Sequence, residues 1–285
     1  MDYFSFTFGY RTKDIAMKNI LIPTDFSINA QKAIDYALFL FEREACNFYI
    51  LNAYLIVPSA PGNKLDAEHK LAQIVQKLET HKENPKHIFE WILIMDSPLN
   101  AINVTIIDKN VDYVFMGTKG SSGLREIFIG STAMSVIKHI DHCPIFAVPA
   151  EYEYDLPEQI VFINDFRKPL KENELVPLVT IAKLWDSTLN IVHIKVEKEL
   201  VDAEKLNKES LRNSLKGVKH HFIEVKMEYM LSSTIHRLEN ENKNIGMVAM
   251  LKNKHGFFKK LFREPVIRNV AFKTKVPLLV LPGME

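Results

Sequence analysis

The sequence predicts an α/β protein of two tandem domains, each an open five-stranded parallel sheet with helices on both faces. Three observations predict it. Short β-rich runs alternate with stretches of helical apolar spacing, the pattern left by parallel strands joined through crossover helices. The pattern then occurs a second time. ILIPTDF (Ile20–Phe26) returns as IVFINDF (Ile160–Phe166), 140 positions on, and CPIFAVP (Cys143–Pro149) returns as VPLLVLP (Val276–Pro282), 133 positions on. Finally, 285 residues suit two domains of ordinary size.

In the first copy, Ile20–Ile22 reads as a buried strand stopped by Pro23. Ala30, Ala33, Ile34, Ala37, Leu38 and Phe41 then fall on one face of a helix. Phe48–Ala53 is the second strand, Leu71, Ile74, Val75 and Leu78 mark the second helix, and Ile88–Met95 is the third strand. Pro98 suits the first turn of a third helix that runs to about Lys109. VDYVFMG is the fourth strand, Ser131–Ile140 the fourth helix and Ile145–Val148 the fifth strand. The second copy repeats the order: strand Ile160–Asn164, a helix to Trp185, strand Leu189–Ile194, then three further cycles ending at Leu281. The expected division is an extension over 1–16, a first domain over 17–150 and a second over 151–285. The linker is Ala150–Gln159, acidic, with a proline and no apolar periodicity. Met17 opens MKNILIPTDFS like a natural start, and Tyr3, Phe4, Phe6 and Phe8 of the extension are candidates for docking on a neighbour.

Composition narrows the function classes. A formal net charge of +1 gives no bulk attraction to nucleic acid or to a membrane. No apolar run approaches the ~18–20 residues of a membrane span. Two cysteines, Cys46 and Cys143, make no disulfide framework and fit a reducing, cytoplasmic location. His139 and His142 near Cys143, and the pair His220–His221, lack further ligands at zinc spacing and read as surface or packed histidines. Cys143, before a proline at a strand entrance, reads as a buried thiol rather than a nucleophile.

GTKGSSGLREIFIGST (Gly117–Thr132) holds four of the ten glycines. It begins where the fourth strand ends and finishes where the fourth helix starts. In open parallel sheets that is where ligands bind. Gly117 and Gly120 let the main chain turn without a Cβ in the way. Gly130 allows close approach beside the helix start, where free N–H groups and the positive end of the dipole favour an anion. Ser131 and Thr132 add hydroxyl donors, and Ser131 is the expected cap. Lys119 and Arg125 are available to neutralise phosphate or to face solvent. The spacing matches neither GxxxxGK[ST] nor GxGxxG.

The spacing G-x2-G-x9-G-[ST], as Gly117, Gly120, Gly130 and Ser131, resembles the ATP-binding signature of the universal stress protein family. ILIPTDFS, DSPLNAI (Asp96–Ile102) and MGTKG resemble its other conserved segments, closely over Lys18–Pro149 and loosely over Gln159–Pro282. The resemblance implies Rossmann-like domains of the adenine nucleotide α-hydrolase-like group. It implies Pro23, Thr24 and Asp25 at the adenine and ribose end, Ala53 beside the base, and Met116 and Gly117 on the far wall. Gly120, Gly130, Ser131 and Thr132 would hold the phosphates of ATP, with or without Mg2+. No carboxylate pair dedicated to that ion stands in the sequence. Domains of this family also pair through their last strands, so CPIFAVP beside VPLLVLP would make a pseudo-dimer within one chain; pairing between chains, a homodimer, is the alternative.

In the second copy, alignment back from Pro277 puts Met250 over Gly117, Asn253 over Gly120, Arg263 over Gly130 and Glu264 over Ser131, with only Gly256 persisting over Gly123. An arginine and a carboxylate where backbone must meet phosphate imply no nucleotide there. Lys252–Arg263, with interleaved phenylalanines, reads as a solvated loop or as a surface for an acidic partner or an anionic membrane. The expected function is a nucleotide-binding regulatory protein with little or no turnover, weak ATPase activity at most. The alternatives are an ATP-hydrolysing or nucleotidyl-transferring enzyme of the same fold group, and a nucleotide-free interaction module.

Overall fold

The computed structural model describes residues 17–55, 63–118, 130–195, 200–226, 237–241, 244–252 and 274–283. The expected N-terminal extension, Lys119, Gly120, Gly123, Arg125, and the stretch from Asn253 through Arg263 and Glu264 lie outside them.

Apolar runs flanked by proline, glycine or asparagine form the strands, and the alternating spacings form the helices between them. The leading copy comprises β1 (Lys18–Pro23), α1 (Ile28–Leu40), β2 (Cys46–Tyr54), α2 (Asn63–His81), β3 (His87–Met95), α3 (Pro98–Asp108), β4 (Tyr113–Gly117), α4 (Ser131–His139) and β5 (Ile145–Val148). The trailing copy comprises β6 (Gln159–Ile163), α5 (Glu172–Leu184), β7 (Thr188–Lys195), α6 (Asp202–Ser214), β8 (His220–Lys226), β9 (Ile245–Leu251) and β10 (Leu278–Leu281). All ten strands form one sheet in the order β3-β2-β1-β4-β5-β10-β9-β6-β7-β8. Read outward from the centre, each copy has the same strand order. Every pairing inside a copy is parallel, and β5 meets β10 antiparallel, with Phe146 opposite Leu279. Right-handed crossovers place α1 and α2 on one face of the leading strands and α3 and α4 on the other, where α3 packs on α4.

Central strands β4, β5, β9 and β10 are buried nearly throughout, as strands covered on both faces must be. The fourth strand starts at Tyr113, two residues later than expected, because Asp112 turns back to bond Asn19 at the foot of β1: its carboxylate accepts the Asn19 N–H at 2.8 Å.

The linker corrects the expectation of a plain acidic connector. Tyr152 is buried and Tyr154 packs against the core. Their rings meet Tyr36 and Phe39 of α1, and the Tyr154 hydroxyl donates to the Lys32 carbonyl at 2.9 Å. Phe39 in turn stacks on Trp185 of the trailing copy at 5.7 Å, and the Trp185 indole donates to the Leu40 carbonyl at 3.0 Å. The acidic residues hid an aromatic seam.

Candidate functional site

β1, β2 and β4 end side by side, and their ends line a cavity of about 320 Å³. From β1 come Pro23, Thr24 and Asp25; from β2, Leu51, Asn52 and Ala53; from β4, Met116 and Gly117. The starts of three helices complete it: Ala30 of α1, Pro98 and Ile102 of α3, and Gly130, Ser131, Thr132 and Ala133 at α4. Nine of the ten residues expected at the site thus face one hollow. The tenth, Gly120, lies outside the described residues.

The β1 end is a rigid turn. Thr24 Oγ1 accepts the Phe26 N–H at 3.0 Å, Asp25 Oδ1 accepts the Ser27 N–H at 3.0 Å, and Phe26 takes a left-handed φ of 64°. Ser27 then caps α1, its Oγ accepting from Ala30 N at 3.2 Å. From β2, buried Asn52 donates to the Thr24 carbonyl at 2.7 Å. Asn52 was missed in the sequence. A polar residue inside the apolar strand FYILNAY was the available signal. Pro98, Ile102, Ala30 and Ala133 were missed because helix periodicity alone reads them as turn or core positions.

At the β4 end, glycine is required. A Cβ on Gly117 would lie 2.6 Å from the Asn29 carbonyl oxygen in the first turn of α1, so any side chain there would force the main chain of α1 to shift. Thr118 continues β4 by donating its N–H to the Val148 carbonyl at 3.0 Å, and its own carbonyl receives the Gly130 N–H.

The expectation for the α4 cap is corrected. The N-cap is Gly130, not Ser131, and it supplies no capping side chain. Its carbonyl already accepts the Met134 N–H at 2.9 Å, so Ser131 is the first helical residue. Ser131 and Thr132 stand exposed at the cavity wall. Among the described lining residues Asp25 is the single charged side chain. The hollow therefore offers an acceptor-rich β1 end, an apolar wall from α3, and a main-chain donor end at α4.

The trailing copy repeats the β1 turn at the end of β6. Asn164 Oδ1 accepts the Phe166 N–H at 2.7 Å, Asp165 Oδ1 accepts from Arg167 N at 3.2 Å, and Phe166 has φ 55°. His193 takes the place of Asn52, against the Asn164 carbonyl at 3.3 Å, and stacks on buried Phe166 at 5.2 Å. The expected alignment shifts by one residue at the other end. The Lys252 N–H bonds the Leu281 carbonyl as Thr118 bonds Val148, which puts Leu251, not Met250, over Gly117. The stretch between the two strands is one residue shorter than in the leading copy, and counting back from the proline could not see where the loss fell. Leu251 is buried, and α5 begins at Glu172, later after its turn than α1 does. Lys252 is also removed from the expected solvent loop, because its ammonium bonds carbonyls of the leading copy.

Both cysteines are free and buried. Burial pushes the Cys46 thiol up to about 12 and the Cys143 thiol higher still, so neither is a nucleophile at neutral pH. His139 is tied to its own helix through Nδ1 and the Ser135 carbonyl at 2.8 Å. Among the described residues no three His, Cys, Asp or Glu side chains gather around a metal position. No helix among them is long and apolar enough to cross a membrane.

Fold and cavity together define a class: open parallel α/β proteins with a pocket at the carboxyl ends of the strands. The sequence profile described as the universal stress protein family matches residues 17–149. A universal stress protein of Methanocaldococcus jannaschii is 32% identical over 142 residues, 46% of this chain and 81% of the relative. The crystal structure of a universal stress protein from Archaeoglobus fulgidus superposes with a TM-score of 0.69, covering 92% of this chain and 97% of that one at 19% identity. One of Pseudomonas aeruginosa, described as a putative universal stress protein, gives 0.59 over 93% of each chain at 13% identity. At such identities these two likenesses are of fold, and they extend over both copies. The chain belongs to the universal stress protein family.

Proposed function

We propose that the leading copy binds an adenine nucleotide, ATP in the first instance, and that the protein works as a regulatory binder with little or no turnover. One observation carries this reading: a single hollow of nucleotide size has a carboxylate-bearing turn at one end and an uncapped glycine-started helix at the other. Asp25 and the Thr24 turn suit the hydroxyl and amino donors of ribose and base. Gly130, Ser131 and Thr132 present main-chain and hydroxyl donors to phosphate, with Gly120 in the same loop. Mg2+ would be held chiefly by the phosphates, since Asp25 is the one carboxylate among the described lining residues.

Low turnover follows from the same inventory. Among the described lining residues Asp25 is the one carboxylate, and it spends one oxygen on the Ser27 N–H, so none of these residues is a free base for activating water at a terminal phosphate. In the trailing copy, Leu251 and the His193–Phe166 stack argue for no nucleotide. Residues 17–150 and 151–285 are then two domains joined as an intrachain pseudo-dimer along β5 and β10, in a cytoplasmic setting that suits two free thiols.

The experiment is a thermal shift and a calorimetric titration with ATP on the full chain and on Gly130→Asp. ATP at about 100 times Kd should stabilise the parent by about 2.7 kcal/mol. Gly130→Asp, a good N-cap, should fold as well as the parent and lose that shift. A parent that ignores ATP, or a variant that still binds it, overturns the assignment. Sustained phosphate release at enzyme-like rates, about 1–10³ per second, would favour the hydrolase alternative.

A further inference from the structure

Thr118 and Lys252 occupy the same place in the two copies, the first residue beyond β4 and β9, each donating its N–H to the neighbouring strand, at 3.0 and 2.8 Å. They do opposite jobs on one helix. Thr118 receives the Gly130 N–H at the start of α4. Lys252 crosses the β5/β10 seam to the far end of α4. There its ammonium donates to the Lys138 carbonyl at 2.8 Å and to the Ile140 carbonyl at 3.0 Å, and pairs with the Asp141 carboxylate. The Lys252 side chain is 12% exposed, whereas Lys138 and His139, the cations of α4's own last turn, are exposed.

We propose that Lys252 is a positioning residue for the nucleotide cavity, and that through it the trailing copy, without its own glycine cradle, sets phosphate affinity in the leading one. The inference rests on the reading of the α4 start as the phosphate end. α4 has nine residues, about 13 Å at 1.5 Å per residue, and is held at both ends by the residues that follow β4 and β9. A cation on its last carbonyls complements the negative end of the dipole, as a phosphate at the first turn complements the positive end. Removing the ammonium frees the C-terminal carbonyls, lets the helix end shift, and weakens the donor end of the cavity. Any ligand or partner that moves the end of β9 relative to the seam acts on the same lever.

The test compares ATP with adenosine, which lacks the phosphates, on the full chain. Lys252→Met should weaken ATP about fivefold, the size of one helix-terminal charge, and leave adenosine within about twofold; Lys252→Arg, which keeps a cation at the helix end, should restore ATP binding. Equal losses for ATP and adenosine indicate a loosened fold and overturn the proposal, as does unchanged ATP affinity in Lys252→Met. A parent that binds neither ligand overturns the cavity assignment itself, and this proposal with it. If Lys252→Met fails to fold, the parent still decides. The ammonium must leave its carbonyls before it can react, and linkage applies to that opening equilibrium, so saturating ATP should slow acetylation of Lys252 severalfold relative to exposed Lys205, read by mass spectrometry; equal labelling with and without ATP refutes the coupling.

Discussion

Gly117 and Leu251 stand at one position in two copies of one strand end, and a single Cβ separates their consequences. On Gly117 that atom meets the Asn29 carbonyl at 2.6 Å. Gly117→Ala should therefore cost about 1–3 kcal/mol through overpacking, read as a lower urea midpoint, and should narrow the cavity as well. Tyr36 shows the reverse case. Its hydroxyl is buried without a hydrogen-bond partner among the described residues, amid Tyr152, Tyr154, Phe115 and Phe146. An unsatisfied buried polar group costs about 1–3 kcal/mol, so Tyr36→Phe should leave stability unchanged or raise it by about 1 kcal/mol in the same assay. His87 is buried edge-on to Phe48, with Nε2 against the Phe41 carbonyl at 3.2 Å. Burial lowers its pKa from the ordinary 6.5. Below about pH 6.5 the unfolded chain takes up the proton before the folded one does, so stability should fall as pH drops from neutral through that window. His87→Gln should flatten this part of the curve, measured as urea midpoints from pH 7.5 to 5.5.

At the scale of elements, α1 and α4 begin on the same cavity with opposite capping chemistry. α1 has Ser27, and Ser27→Ala should cost about 1 kcal/mol, seen as a lower melting temperature with the helix otherwise intact. α4 has Gly130, which supplies no capping side chain, and Gly130, Ser131 and Thr132 line the cavity. The elements were largely legible because their signals are local. Ala30, Ala33, Ile34 and Ala37 do form the buried face of α1, Pro98 does open α3 behind the Ser97 cap, and β5 spans Ile145–Val148 as expected. The α4 cap was misplaced by one residue. Ser, Thr and Gly all suit an N-cap, and only the bonds of Gly130, its N–H to the Thr118 carbonyl and its carbonyl to the Met134 N–H, select among them. The one-residue slip at Leu251 has the same origin: pattern fixes an element's type, whereas register depends on strands distant in the chain.

At the scale of the molecule, the two copies share one ten-stranded sheet, and the seam is more than β5 on β10. Phe39, Tyr154 and Trp185 stack across it, Arg43 lies over the Trp185 ring at 4.5 Å, and the Tyr113 hydroxyl reaches the Pro177 carbonyl at 3.2 Å. Trp185→Ala should cost about 3 kcal/mol and lower a single shared thermal transition rather than split it, as scanning calorimetry would register. The sequence by itself determined the strand–helix alternation, its duplication and the residues that gather at the strand ends. Those are properties of periodicity and of small residues at chain turns, written within a few positions of one another. The tertiary structure alone decided that Tyr152 and Tyr154 are seam rather than linker, that Asn52 braces Thr24, and that Lys252 caps a helix of the other copy. These partners lie from 28 to 122 positions apart, and no local pattern encodes which distant carbonyl a buried donor will find once the sheet has closed around it.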